Sequence, residues 1–103
     1  MQFKVFIVNL DPTKGSEMKK TRPCVVISPD VMNLHLKTVI IAPLTSTIKE
    51  IPFRPITKFN DNESAIALDQ MRSVDKTRLI RCIGKLNTEE VVEAKSVLSE
   101  MFR

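Results

Sequence analysis

The sequence predicts a small, mainly β fold finished by one C-terminal helix, an α+β arrangement in a single domain spanning residues 1–103. Three observations carry that expectation. Short apolar, β-branched runs recur between clusters of turn-forming residues. Strand-like and helix-like segments do not alternate as a parallel βαβ sheet requires. One helical period with a complete start signal lies near the end of the chain. Five or six short strands of this kind make a small barrel or a strongly curled sheet.

Phe3 to Leu10 is apolar and β-branched apart from Lys4 and Asn9, and reads as the first strand. Asp11-Pro12-Thr13-Lys14-Gly15-Ser16 is a turn cluster, where proline pre-sets φ and glycine tolerates φ > 0. Pro23 to Ser28 is the second strand, with proline at its first residue, where a missing N–H is tolerated. Asp30 to Leu36 suits a short helical turn, and Lys37 to Leu44 a third strand ended by Thr45-Ser46-Thr47. Pro52 and Pro55 around Phe53-Arg54 point to an edge strand or an irregular passage. Asn60-Asp61-Asn62-Glu63 is an exposed turn, and Ser64 to Leu68 and Leu79 to Ile83 are short strands. In the last segment Asn87 caps a helix and Glu90 completes a capping box. Glu89 and Glu90 suit the positive end of the helix dipole. Val91, Ala94, Leu98 and Met101 or Phe102 recur at helical spacing, so one face packs on the sheet.

Composition narrows the function classes. Apolar residues are 43% of the chain, enough for a modest core. No apolar run reaches the ~20 residues that span a bilayer, and Met1-Gln2-Phe3-Lys4 does not open a signal peptide, so the expected location is cytoplasmic. Cys24 and Cys82, both inside apolar runs, read as two buried thiols rather than a disulfide. With two cysteines and one histidine no metal site is expected. The net charge of +4 favours an anionic partner. Trp and Tyr are absent and Phe numbers 5, so a flat aromatic platform for stacking bases is poorly supported.

The segment from Val8 to Ser28 carries the chemistry. It sets Glu17, Lys19, Lys20 and Arg22 in a polar loop between two apolar runs, with proline directly after the arginine. Such a loop can grip a phosphate and move a proton. Two further elements follow in order: V-I-I-A-P-L-T-S at 39–46, and D-Q-M-R-S-V-D-K-T-R-L at 69–79 ahead of I-G-K-L and the capped helix.

This ordered set resembles the MazF/PemK toxins of type II toxin–antitoxin pairs, over nearly the whole chain. The resemblance implies an SH3-like barrel of the MazF/PemK/CcdB kind with a C-terminal helix, assembled as a homodimer. It implies a sequence-specific endoribonuclease that cuts single-stranded RNA without a metal or other cofactor, leaving a 2′,3′-cyclic phosphate and a 5′-hydroxyl. The implied partners are that RNA and a cognate antitoxin with an acidic, disordered tail. Position by position, the family's strand-opening arginine falls on Arg22, its strand-end hydroxyl on Thr45 with Ser46 beside it, and its acid on Asp69, followed by Gln70. The chain departs from the family at Ala67, where some PemK-type members have a catalytic arginine, and at Phe3-Lys4-Val5-Phe6, in place of the usual G-D-[VI]-[WY] opening.

Metal-free RNA cleavage needs a base for the 2′-hydroxyl, a proton donor for the departing 5′-oxygen, and stabilisation of a doubly negative phosphorane. Arg22 suits the last task, because guanidinium stays charged and presents a rigid fork to phosphate oxygens. A guanidinium that stays protonated is a poor free base, so its main task is charge stabilisation, with proton donation as a second. Thr45 can add a hydrogen bond to the same phosphate. Glu17 and Asp69 are the rival bases, and either needs its pKa raised to work near neutral pH. His35, in Asn33-Leu34-His35-Leu36, lies outside the matched elements and reads as a surface or half-buried loop residue. Lys14, Lys19, Lys20, Arg54, Arg72 and Arg78 are the expected phosphate contacts, and Ser46 and Gln70 are expected to bind the RNA beside them. Two alternatives have other readouts. One is a gyrase-poisoning toxin of the same fold, but those relatives act through a tryptophan at the tip of the last helix, where this chain has Met101-Phe102-Arg103. The other is a non-catalytic RNA-binding barrel.

Overall fold

Alternating side chains fix which face of each strand is buried, and prolines fix where the hydrogen-bond ladders stop. The structure is a computed structural model that describes residues 1–10, 20–48, 51–59 and 61–103. Among these, the strands β1 (Lys4–Asn9), β2 (Thr21–Val26), β3 (Thr38–Thr45), β4 (Ile56–Phe59), β5 (Asn62–Ile66), β6 (Arg72–Asp75) and β7 (Leu79–Lys85) form one 7-stranded sheet. Helix α1 (Asp30–His35) joins β2 to β3, and α2 (Thr88–Met101) ends the chain.

The strand order is β4-β5-β3-β2-β1-β7, with β6 also on β3 and every pair antiparallel. β3 bends the whole sheet. One of its edges pairs with β2 through Ile41–Pro43, while the other passes from β6 (residues 38–41) to β5 (residues 44–45). A strand that changes partner along one edge turns the sheet on itself, giving a curled half-barrel.

Because neighbours in a strand face opposite ways, β2 and β3 feed two cores. Val25, Ala42 and Leu44 join Phe3, Val5, Ile66, Leu68 and Ala94 of α2. Cys24, Val26, Val39 and Ile41 join Val8 and Val74. α2 is held at its start by the expected capping box: Glu90 N donates to Asn87 Oδ1 at 2.8 Å and Asn87 N donates to Glu90 Oε1 at 2.9 Å. The other carboxylate oxygen reaches the sheet, accepting from Thr57 Oγ1 at 2.5 Å and Lys58 N at 2.8 Å. Burial alone would raise the Glu90 pKa, but these bonds outweigh it and hold the carboxyl below its usual range.

Several expectations shift. β2 starts at Thr21, so Arg22 is a strand residue and Pro23 lies inside the strand. β5 runs two residues earlier than expected, and β6 occupies a stretch read only as a connection. Its single buried residue, Val74, is too little apolar pattern to mark a strand; its pairing with β3 makes it one. Cys82 is exposed, not buried, because β7 ends the sheet and covers little with its middle residues. The two thiols stand on β2 and β7, flanking Phe6 of β1 from opposite sides. Two strand spacings of ~4.8 Å exceed what a disulfide bridges, in keeping with free thiols. Helix α1 is inverted: its buried residue is Asn33, bonded to Ser28, while Val31 and Leu34 are 66% and 79% exposed. Phe102 faces solvent; Ala94, Val91, Leu98 and Met101 form the packed face of α2.

Candidate functional site

The two prolines inside strands build the corner where β2 meets β3. Ile27 N donates to Ile40 O at 2.8 Å, which marks one hydrogen-bonded pair of the β2–β3 register. Such pairs recur every second residue. Val25 and Ala42 form the next, and Pro23 and Leu44 the one after it. Proline has no N–H. The Leu44 carbonyl therefore lacks its ladder donor, and the paired run stops at Cys24 and Pro43. The vacant donor position is taken by a side chain: Arg22 Nη2 donates to Leu44 O at 3.1 Å. That oxygen belongs to the peptide group leading into Thr45, so the guanidinium stands beside the residue that ends β3.

Pro43 acts likewise on the opposite edge. Ala67 N donates to Pro43 O at 2.9 Å, but Pro43 has nothing to return. The Ala67 carbonyl instead accepts from Gln70 N at 2.9 Å, closing the single turn Leu68–Gln70 that presents Asp69 and Gln70 at the surface. Leu68 anchors the turn by full burial.

Alternation puts Arg22, Thr45 and Arg72 on one face. Arg22 shares a face with Cys24 and Val26, Thr45 with Val39 and Ile41, and Arg72 with Val74, all from the second core. Arg72 lies across from Ile41 on β6. Both arginines act on Cys24: burial pushes its thiol up to about 11, with Arg22 and then Arg72 pulling it down. Cys24 is thus an uncharged thiol near neutral pH and not a nucleophile. Thr45 is half-buried, and its Oγ1 accepts from Thr47 N at 3.2 Å, which leaves the hydroxyl proton to donate. Ser46, the next residue, and Gln70 are exposed.

Asp69 is in a different situation. Arg54 Nε and Nη2 donate to its two oxygens at 2.8 and 2.9 Å. This bidentate pair holds the Asp69 carboxyl below the usual range, the direction opposite to that of a base for neutral pH. The same pair occupies Arg54, expected above as a phosphate contact, and fixes the segment after Phe53, which holds a left-handed φ of 68°. Arg78 Nη1 donates to Asn9 O at 3.2 Å. Lys20 is exposed at the start of β2, and His35 is exposed on α1. Glu17, Lys14 and Lys19 lie outside the described residues. Among the described residues no group of three or more His, Cys, Asp or Glu stands together as metal ligands would. The Arg54–Asp69 pair and the role of the two prolines escaped the sequence reading; the visible signal was proline within β-branched runs at positions 23 and 43.

Comparison with known proteins gives a consistent picture. Residues 1–102 match the model of a family described as "PemK-like, MazF-like toxin of type II toxin-antitoxin system". An endoribonuclease MazF from Staphylococcus epidermidis is 31% identical over 100 residues, covering 91% of this chain and 83% of that protein. Among solved structures, Mycobacterium tuberculosis toxin MazF-mt6 superposes with a TM-score of 0.78 at 22% identity, over 96% of this chain and 95% of that one. A mycobacterial endoribonuclease, solved in complex with its cognate antitoxin, gives 0.82 at 18% identity, over 97% and 91%. A MazE–MazF structure from Deinococcus radiodurans gives 0.80 at 21% identity, over 98% and 94%. These structural likenesses establish the shared fold.

Proposed function

Since the chain belongs to the PemK-like, MazF-like toxin family of type II toxin–antitoxin systems, we propose that it is a cytoplasmic endoribonuclease that cuts single-stranded RNA at short recognised sequences, inhibiting translation and growth. One observation carries the reading: the Arg22 guanidinium is held 3.1 Å from Leu44 O, the carbonyl that leads into Thr45, on the face that Arg22, Thr45 and Arg72 share. That is an anion site built from strands, with donors set in place before any substrate arrives.

In the proposed reaction the 2′-oxygen gives up its proton and attacks the adjacent phosphorus, and the P–O5′ bond breaks; the leaving 5′-oxygen takes a proton from the Arg22 guanidinium, which regains one from solvent, giving a 2′,3′-cyclic phosphate and a 5′-hydroxyl. Arg22 uses one donor on Leu44 O and turns others to the phosphorane oxygens, where two negative charges gather. Thr45 donates a hydrogen bond to the same phosphate and keeps its proton. Removing one such preorganised donor costs roughly 3 kcal/mol, about a hundredfold in rate. Asp69, ionised and shared with Arg54, orients the Leu68–Gln70 turn and keeps Gln70 in reach of a base. Glu17 is then the residue we assign to the 2′-hydroxyl proton. Arg72 and Lys20, with Lys14 and Lys19, bind neighbouring phosphates and so place the strand without choosing its letters.

The reaction as written needs no metal. The partners are a homodimer mate, for which Val31 and Leu34 of α1 offer apolar surface, and an antitoxin whose acidic tail complements the chain's charge of +4. The test is cleavage of single-stranded RNA by the purified protein in excess EDTA, with sequencing of the cut ends. Cutting at a recurring short sequence supports the proposal. Intact RNA at micromolar protein, or cutting that requires added magnesium, contradicts it.

A further inference from the structure

We propose that Pro23 is a positioning residue for this cleavage: by withholding a backbone N–H it reserves the Leu44 carbonyl for the Arg22 guanidinium, which is thereby held beside Thr45. The inference rests on the ribonuclease reading for its kinetic consequence, and on the β2–β3 register for its geometry.

The register fixes which residue is missing. Ile27 N bonds Ile40 O on β3's side of β2, and Leu10 N bonds Lys20 O on β1's side. Both bonds assign the odd-numbered residues of β2 to β3 and the even-numbered ones to β1. Position 23 is therefore the one whose N–H would enter Leu44 O, and any residue but proline would supply it. A strand residue bonded in that way pairs its carbonyl partner within the sheet plane. A flexible arginine would then compete with the backbone for the oxygen and sample its other rotamers, at a cost in order that long side chains feel most. With proline the oxygen has no backbone suitor. Leu44 is 4% exposed, so its carbonyl sits where an unmade bond is costly and the guanidinium is drawn in to make it. The same residue thus removes a ladder bond and supplies a fixed seat for the charge, next to the hydroxyl with which it acts.

The experiment uses the full chain with two changes at one position. Pro23→Ala restores an N–H. Replacement of Pro23 by N-methylalanine, made by ligating residues 1–23 to a fragment beginning at the native Cys24, removes the ring but keeps the donor absent. Single-turnover cleavage of a short RNA gives the chemical rate and the binding constant separately, and thermal unfolding follows the fold. Pro23→Ala is expected to lower the chemical rate about tenfold with RNA binding within about twofold, and the N-methylalanine protein to regain most of the loss. Nitrogen-15 NMR of the arginine side chains reads the geometry without reference to activity. The wild type should show a slowly exchanging Nη signal, assigned by its loss in Arg22→Ala, and that signal should collapse in Pro23→Ala. Equal rates for wild type and Pro23→Ala, an unchanged Nη signal, or an N-methylalanine protein as slow as Pro23→Ala would each overturn the proposal. Should the wild type cut no RNA, the ribonuclease reading fails on its own, and the NMR arm still decides whether Pro23 seats Arg22.

Discussion

Glu90 and Arg22 each reach across to the backbone of another element, with opposite outcomes. Glu90 on α2 is saturated. One oxygen caps the helix through Asn87 N, and the other takes Thr57 Oγ1 and Lys58 N from β4. Arg22 on β2 is exposed and makes one bond among the described residues, to Leu44 O. A saturated ion fastens two elements; a partly used one, pinned at one end, is an instrument for a ligand. In the proposed reaction the contrast separates the structural corner of this fold from the corner that meets the phosphate.

The contrast predicts a ranked set of effects. Arg22→Ala should still fold, with a lowered melting temperature because the Leu44 carbonyl loses its donor, and lower RNA cleavage by about a hundredfold or more, since it removes charge and fork together. A variant with the wild-type melting temperature and near-full activity would break the distinction. Thr45→Ala should lower the single-turnover rate about a hundredfold with little change in RNA binding, as a donor used mainly in the transition state does. Asp69→Asn should leave the pH–rate profile where it was, changing the rate by no more than about tenfold through a looser turn. A lost acidic limb in that variant would make Asp69 the base and displace Glu17. On the structural side, Glu90→Gln should leave cleavage unchanged and destabilise the protein by about 1–2 kcal/mol in urea unfolding, the worth of a cap plus a charged hydrogen bond.

Acid gives the smallest and most specific effect. The Glu90 and Asp69 carboxyls are both held below their ordinary range, Glu90 by bonds from Thr57, Asn87 and Lys58 that outweigh its burial, Asp69 first by Arg54. A depressed folded pKa contributes stability that is present above the unfolded value of about 4 and lost as pH falls through the folded one. Stability should therefore fall below about pH 4 in the wild type, and fall less steeply in Glu90→Gln. Asp69 is mostly exposed and solvent-screened, so its share is the lesser.

What could be read from sequence follows from how local each feature is. The capping box of α2 is written within four residues and appears in the structure with both its bonds. β1 and α1 were legible from pattern and turn residues, whereas the bond from Arg22 to Leu44 O was not, because it depends on the β2–β3 register. β6 was not, because Arg72–Asp75 has one buried residue and gains its strand character from β3 alone. Pro23 misled in an instructive way. Read locally, a proline opens a strand; in the sheet it sits within one, where the bond it cannot make is supplied by its neighbour's side chain. Asp69 was legible as part of a motif, but its pairing with Arg54, fifteen positions earlier, depends on β4 and β5 folding back together.

The central claim is that Arg22 and Thr45 act on one phosphate, and a double-mutant cycle on the single-turnover cleavage rate tests it most directly. If they share the scissile linkage, Arg22→Ala with Thr45→Ala should be scarcely slower than Arg22→Ala alone, because the threonine has little left to assist. Fully multiplicative losses, each mutation costing as much in the other's presence as in its absence, would place the two side chains on separate tasks and contradict the account.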